Sequence, residues 1–251
     1  MSENQLLSRA AVPCFPEKFR ILSGSALKMI AMITMLIDHI GAIILYRYPP
    51  SNVPVIELFG RTLSIYRLSR DIGRVAFPIF CFLLVEGFLH TQDRLKYGRN
   101  LLLFACISEI PWNFMHTNTW SYEKQNVFFT LFLGYVGICV IEYFRERQMA
   151  QILLLLALFW VSTVLKADYG WKGFIFILLL FSLRGQMAVQ ALVGSAWLHY
   201  EWKACFAFLS INMYNGKRGF IRGKWGKYFF YAFYPVHIII LTLICNRMGL
   251  M

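Results

Sequence analysis

Long apolar runs separated by short polar stretches account for most of the chain of 251 residues. Nine runs can be distinguished, at approximately 26–46, 72–90, 98–114, 127–144, 150–166, 170–184, 187–199, 203–214 and 228–247. Several are shorter than the ~20 residues that cross a bilayer comfortably, so these must be tilted, or enter the membrane only in part. The pattern predicts an all-α fold, a polytopic membrane helix bundle of about nine spans, with eight to ten as the range.

Composition supports a membrane location and excludes other classes. Hydrophobic residues make up 58% of the chain and charged residues only 15%, against about 25% charged in soluble domains. The mean hydropathy of +0.54 excludes a disordered chain, which needs few apolar residues. The net charge is +12, but the Lys and Arg residues are scattered between apolar runs, which disfavours nucleic-acid binding. The expected surrounding partner is a lipid bilayer.

The chain divides into a polar leader, residues 1–24, and a single membrane domain, residues 25–251. The leader lacks the short apolar core and cleavage site of a secretory signal. Loops placed inside by a cytoplasmic N-terminus carry more Lys and Arg than the outside loops, which favours that orientation. The exception is the first loop, 47–71, with Arg67 and Arg70. An amphipathic surface helix would explain it, and a tenth span is the open alternative.

Neither the cysteines nor the histidines predict a metal site. The six cysteines contain no CxxC pair and most lie in apolar runs, as buried thiols do. Two histidines, His39 and His237, fall inside apolar runs, but acidic partners at ligand spacing are missing. We therefore expect no metal.

One face of the first apolar run carries two ionisable residues, Lys28 and His39. Eleven steps of 100° bring them to within about 20° of each other, roughly 16 Å apart along the axis. A cation at the rim and an imidazole deep in the membrane would suit an anionic cofactor whose reactive end points inward. Alternatively, Lys28 only snorkels to the interface and His39 is merely a satisfied buried histidine. Asp38 points about 100° away from His39 and should pair with another helix.

The second run contains Arg74 and Glu86, which lie about 120° apart around a helix and should serve different contacts. Phe77-Pro78 predicts a kink. Glu86-Gly87 predicts either a helix-packing point with a paired carboxylate or a functional carboxylate.

Later runs supply further polar residues. In the third run Pro111 predicts a helix break, after Glu109 and before Asn113. The residues that could bind substrate or stabilise an oxyanion are Glu86, Glu109, Asn113, Asn126, Asp168, Tyr234 and His237.

Six stretches, in this order along the chain, carry a family resemblance: ALKMIAMITMLIDHIGAI, GRVAFPIFCFLLVEGFLHT, ISEIPWN, NVFFTL, ADYG and FYPVH. The chain resembles the TraX family of bacterial inner-membrane proteins, which are associated with N-terminal acetylation of conjugative pilin. That family is itself similar to the membrane acyltransferases that include the acyltransferase-3 proteins and the lysosomal heparan glucosaminide acetyltransferase. The acyltransferase-3 pattern of Arg, ten residues and His corresponds here to Lys28 and His39. The stretch FCFLLVEGFLH, followed by Arg94 and Arg99, resembles that group's second motif, an apolar helix that ends in a glycine before basic residues.

The resemblance implies an acetyltransferase that moves an acetyl group from acetyl-CoA to an amine or hydroxyl. The favoured acceptor is a pilin-like peptide N-terminus, and a glycan is possible. The implied catalytic residues are Asp38 and His39, with His39 either acting as general base or accepting the acetyl group transiently. Cofactor phosphates would be met by Lys28, Arg74, Arg94 and Arg99, or by the basic loop at 217–227. A non-enzymatic transporter or pilus assembly factor is the alternative, although we find no inverted repeat.

Overall fold

The computed structural model describes residues 12–58, 61–221 and 223–250, without the side chains of 56–62, 224, 225 and 227. The first eleven residues of the predicted leader lie outside the described residues. The α-helices are α1 (Gly24–Ile40), α2 (Ile65–Gly73), α3 (Ala76–His90), α4 (Arg94–Thr117), α5 (Val127–Tyr143), α6 (Gln148–Val164), α7 (Gly170–Ser182), α8 (Met187–Trp197), α9 (Ala207–Asn212) and α10 (Gly223–Arg247). Shorter elements are the 3-10 segments Glu17–Phe19, Pro49–Asn52 and His199–Phe206, the π turn Gly41–Leu45 and the strands β1 (Ile56–Leu58) and β2 (Arg61–Leu63).

Each of the nine apolar runs falls on helical structure, which confirms the predicted helical class. The exception to an all-α fold is a small antiparallel hairpin in the first loop, with Ile56 opposite Leu63. Among the described residues, three helical stretches are long and apolar enough to cross a membrane: Gly24–Leu45, Ile65–His90 and Tyr228–Arg247. Four other apolar helices, α5 to α8, are shorter, at 10–17 residues.

The first loop differs from the prediction at its end. The second helical stretch does not begin at residue 72, because α2 begins at Ile65, where the Ser64 hydroxyl accepts a hydrogen bond from the Arg67 amide at 3.2 Å. Only Arg74 and Val75 separate α2 from α3. With nine residues α2 is about 13 Å long, too short to span a bilayer alone. The expected amphipathic helix therefore exists, but as the first part of the second stretch.

The two prolines act differently. Pro78 lies in the first turn of α3, and the helical stretch breaks at Arg74–Val75. The break occurs there because, in a continuous helix, the Pro78 ring would collide with the Arg74 carbonyl. The break expected at Pro111 is wrong, because α4 continues to Thr117 and ends at Asn118, with φ 53°. Side-chain bonds hold this last part of α4, since the Trp112 indole donates to the Lys124 carbonyl at 2.7 Å.

The bundle has two ends, which we name after the residues of the first helix. At the Lys28 end, the start of α1 pairs with the loop before α10, because the Gly24 amide donates to the Lys217 carbonyl at 2.8 Å and the Ser25 amide to the Arg218 carbonyl at 2.9 Å. The described part of the leader lies at this end. The His39 end contains the C-terminal part of α1, helix α2 and the turn before α7.

Close helix packing depends on glycine at the α5–α7 contact. A Cβ on Gly134 would overlap the Ile177 side chain, and one on Gly137 would crowd Phe174 and Leu178. Small residues at such contacts let membrane helices approach closely.

Replacing Gly134 with Ala should therefore destabilise the bundle by about 1–3 kcal/mol through overpacking. The measurement is thermal unfolding in detergent. The matched control is Gly185→Ala, because nothing lies within 4 Å of a Cβ at that position. Equal melting temperatures for the two variants would contradict the packing proposed for α5 and α7.

Candidate functional site

A cavity of about 500 Å³ runs through the bundle between α1, α3, α5 and α10. Its lining at the Lys28 end includes Lys28, Glu86 and Arg218. At the His39 end the lining includes Asp38, His39, Asp168 and Tyr234. Apolar side chains such as Met35, Phe80, Leu83 and Leu131 form the walls between. The structure therefore brings Lys28 and His39 to opposite ends of one cavity, as their shared helix face requires.

His39 and His237 form a direct pair inside the bundle. The distance from His39 Nδ1 to His237 Nε2 is 2.5 Å, and the rings stack with centroids 4.8 Å apart. Both side chains are buried, at 6% and 5% exposure. The pair joins α1 to α10, residues 198 positions apart in the sequence.

The partners of the pair determine which nitrogen is protonated. His237 Nδ1 lies 2.6 Å from the Phe233 carbonyl oxygen, which can only accept, so Nδ1 of His237 carries a hydrogen. In the neutral pair His237 Nε2 is then an acceptor, and His39 Nδ1 must donate to it. This leaves Nε2 of His39 unprotonated, with its lone pair available as a base at the cavity.

Tyr234 completes this end of the cavity. Its ring meets His39 edge-on, with centroids 5.7 Å apart, and lies 5.9 Å from His237. Tyr234 and His237 therefore face the same way, although Pro235 lies between them. The Tyr234 hydroxyl is buried beside the Val127 backbone amide, which can only donate, and none of the described residues accepts the hydroxyl hydrogen.

Asp38 pairs with another helix, as expected. Its Oδ2 accepts a hydrogen bond from Arg70 of α2 at 2.7 Å, in an ion pair whose side chains are 19% and 26% exposed. Gly73 leaves the room for this arrangement, since a Cβ there would overlap the Asp38 carboxylate. The contacts of Asp38 thus connect α1 to α2.

Arg74 does not line the cavity. Its Nη1 lies 3.2 Å from Glu201 Oε1, and it hydrogen bonds to Tyr169. Glu86, by contrast, lines the Lys28 end and hydrogen bonds to Tyr214. Arg74 and Glu86 serve different contacts, as their angular separation predicts. The structure places Arg74 at the His39 end, opposite the rim where a cofactor phosphate was expected.

Two other predicted phosphate ligands also lie outside the cavity lining. The Arg94 guanidinium sits over the Phe88 ring, 4.4 Å from its centroid. Arg99 is exposed on α4. Among the side chains that the structure describes at the Lys28 end, two cations line the cavity: Lys28, whose ammonium is 5.3 Å from the Phe230 ring, and Arg218 of the basic loop.

Three predicted polar residues hold the loop between α4 and α5 instead of lining the cavity. The Asn126 amide donates to Glu109 Oε2 at 2.6 Å, and its Oδ1 accepts from the Phe128 amide at 3.0 Å, which caps α5. Asn113 donates to the Trp120 carbonyl at 2.8 Å.

Asp168 lies in the turn between α6 and α7, with its side chain open to the cavity. Enclosure by the surrounding protein raises the pKa of the Asp168 carboxyl to about 6, against the opposing effect of the Arg74 guanidinium. The group can therefore exchange a proton near neutral pH.

Comparison with known protein families gives one match over most of the chain. The model of the TraX protein family matches residues 23–245, almost the whole membrane domain. The chain belongs to the TraX family. This membership confirms the resemblance carried by the six motifs, four of which contribute His39, Glu86, Asp168 and His237 to the site.

The TraX-family chain is similar in sequence to two curated proteins. It is 28% identical over 249 residues to the probable fimbrial assembly protein FimC of Dichelobacter nodosus, serogroup H1, covering 87% of this chain and 94% of that protein. It is also 28% identical over 151 residues to an uncharacterized protein of Rickettsia prowazekii (strain Madrid E), covering 57% of this chain and 49% of that protein. No solved structure matches the chain.

For the TraX-family site, Asp38→Ala should lower thermal stability in detergent by about 1–3 kcal/mol, because it leaves Arg70 without its half-buried partner. The control is Glu123→Ala, whose 3.9 Å pair with Lys166 is exposed and should contribute less than about 1 kcal/mol. If Asp38→Ala melts like the unchanged protein, the Asp38–Arg70 pair is not structural.

Proposed function

We propose that this protein is an integral membrane acetyltransferase that moves an acetyl group from acetyl-CoA to a pilin-like peptide N-terminus. One observation carries the proposal: a single cavity connects a cationic rim at Lys28 and Arg218 to a histidine, His39, whose lone pair is oriented by a second histidine. TraX membership and the fimbrial assembly relative support a pilus-related role. The protein would span the bacterial inner membrane about nine times, with a cytoplasmic N-terminus.

The residues of the cavity fit acetyl-CoA in three respects. Lys28 and Arg218 would meet the phosphates at the cytoplasmic rim, where anionic groups remain hydrated. The apolar wall from Phe80 to Leu131 would contact the uncharged pantetheine arm. The rise of eleven residues from Lys28 to His39, roughly 16 Å, separates the phosphate sites from the reacting end.

His39 would act as general base through Nε2, taking a proton from the acceptor as it attacks the thioester carbonyl. The resulting imidazolium is stabilised because its Nδ1 hydrogen already donates to His237, and His237 in turn donates to the Phe233 carbonyl. His39 would then return the proton to the departing thiolate. His237 is thus a positioning residue, comparable in its effect to the acid that orients a catalytic histidine in hydrolases.

The Tyr234 hydroxyl is the side-chain donor that we propose for the oxyanion. It lines the cavity beside His39 and is not engaged by a strong acceptor. Two side-chain amides were also candidates for this role, Asn113 and Asn126, but both donate to groups that hold the α4–α5 loop. Donors that are fixed before reaction stabilise developing negative charge effectively in a site shielded from water.

A non-enzymatic role in pilus assembly is the second candidate, favoured by the name of the Dichelobacter relative. The two differ in one measurable property, the acceptor-dependent release of free thiol from acetyl-CoA by the purified protein.

His39→Ala should reduce acetyl transfer to background, since it removes the base without placing a new polar group in the bundle. His237→Phe should lower kcat by roughly tenfold to a thousandfold with little change in the KM for acetyl-CoA, because it keeps a stacked ring but leaves the His39 tautomer unfixed. The measurement is transfer of labelled acetyl to a peptide acceptor in detergent.

The control for both histidine variants is His199→Ala, because the His199 ring is exposed and its Nδ1 lies 3.0 Å from the Ala196 carbonyl oxygen at the end of α8, away from the cavity lining. His199→Ala should transfer acetyl normally. Near-normal turnover by folded His39→Ala would reject His39 as the base.

The position of the phosphate site can be tested separately. Arg218→Ala should raise the KM for acetyl-CoA at least fivefold with kcat largely unchanged, as expected when a binding contact is lost. Arg99→Ala is the matched comparison, because Arg99 is also exposed but lies outside the cavity lining. The reverse result, with only Arg99→Ala affecting the KM, would place the phosphates against α4.

A further inference from the structure

The turn that carries Asp168 is held in a defined conformation. Lys166 and Gly170 both adopt positive φ, at 51° and 48°, and the Gly170 amide donates to the Ala167 carbonyl at 2.7 Å. The Gln125 amide ties the same turn to the start of α5 through the Lys166 carbonyl, at 3.2 Å. The Tyr169 ring stacks on Phe77, with centroids 3.5 Å apart. These contacts fix the position of Asp168 at the cavity.

Asp168 differs from the other carboxylates around it. Asp38 pairs with Arg70, Glu201 pairs with Arg74, and Asp71 pairs with Lys203. In the described part of the chain, no residue donates a hydrogen bond to the Asp168 carboxylate or forms an ion pair with it. Asp168 is exposed towards a cavity inside the bundle and, among the described residues, has no cation beside it there. A carboxylate in this position is suited to bind a cation that enters the cavity.

We propose that Asp168 binds the amino group of the acceptor as its ammonium ion, at the same end of the cavity as His39, and removes the first of the two protons that the ammonium loses on acetylation. This inference rests on the proposed function and identifies the residue that selects an amine. An ammonium cannot attack a thioester, because its nitrogen has no lone pair until one proton has left. An amine acceptor therefore needs two proton acceptors, whereas a hydroxyl needs one.

The two groups at the His39 end supply both proton transfers. Asp168 takes one proton from the ammonium and becomes a carboxylic acid. The free amine then forms the C–N bond, His39 takes the second proton, and the C–S bond breaks to release the thiolate. His39 protonates that thiolate, and Asp168 gives its proton to water when the products leave. The net change is one amide, one thiol and one proton.

The raised pKa of Asp168 supports this role. At about 6, the pKa lies about two units above the ordinary value of 3.8, so accepting the proton is about a hundredfold easier than for an ordinary aspartate. The remaining gap to the 7.7–8.0 of an α-amino group is also about two units. The charged groups that act on Asp168 are Arg74, Asp38, Arg70 and Lys124. At neutral pH Asp168 is ionised, as ammonium binding requires.

The test uses the full-length protein in detergent with two probes, tetra-alanine amide with a free amino terminus and its analogue in which hydrogen replaces that amino group. The wild-type protein should bind the amine probe at least tenfold more tightly at pH 7. Asp168→Asn should lose this preference, and the wild-type preference should weaken as the pH falls through about 6. Asp71→Asn, outside the cavity lining, should behave like the wild type.

Acetyl transfer gives an independent readout. Asp168→Asn should lower kcat/KM for the amine probe at least tenfold at pH 7, with an unchanged KM for acetyl-CoA, and should recover most of the loss near pH 9, where the amine is mostly neutral. If the wild type binds both probes equally, or if the loss is the same at pH 7 and pH 9, Asp168 does not bind the ammonium. If the wild type shows the binding preference but no transfer, the acetyltransferase proposal fails while the cation subsite stands.

Discussion

The site depends on one hydrogen bond, between the imidazoles of the first and last helices. Buried polar groups in an apolar bundle are costly unless each donor has an acceptor. His39 and His237 satisfy each other, and the remaining hydrogen of His237 is directed to the Phe233 carbonyl of its own helix. The same arrangement leaves one imidazole nitrogen without a hydrogen. The stability of the buried pair and the choice of the unprotonated nitrogen therefore have a common origin.

A group of ion pairs lies around α2, at the same end of the bundle as the histidine pair. Ion pairs join α2 to α1 through Arg70 and Asp38, and α2 to the His199–Phe206 segment through Asp71 and Lys203. Arg74, just after α2, reaches the same segment through Glu201. These charges are paired with each other, whereas Asp168 has no such pair among the described residues and interacts with Arg74, Asp38, Arg70 and Lys124 only at longer range. Asp168 is left as the carboxylate with most freedom to respond to a ligand.

Much of this architecture is predictable from local sequence properties, since apolar runs and helix periodicity place Lys28 and His39 on one face of α1 and direct Asp38 elsewhere. Features that depend on distant contacts are not. No spacing rule joins His39 to a histidine 198 positions later. The extension of α4 beyond Pro111 depends on the hydrogen bond from Trp112 to the next loop. From the sequence alone Arg70 has the character of a surface residue, and only the fold shows that Asp38 lies opposite it. Arginines 94 and 99 follow a motif in sequence, but the direction of α4 carries them away from the cavity lining.

The pairing of the first helix with the last has a consequence for biogenesis. Translation begins at the N-terminus, so α1 is synthesised early and α10 last. His39 therefore has no His237 to pair with until nearly all of the chain has been synthesised. Until then the nascent bundle lacks His237, which selects the tautomer of His39. It also lacks the loop residues Lys217 and Arg218, whose carbonyls accept hydrogen bonds from the start of α1. Assembly of the last helix would thus complete the histidine pair and the contacts at the start of α1 in one late step.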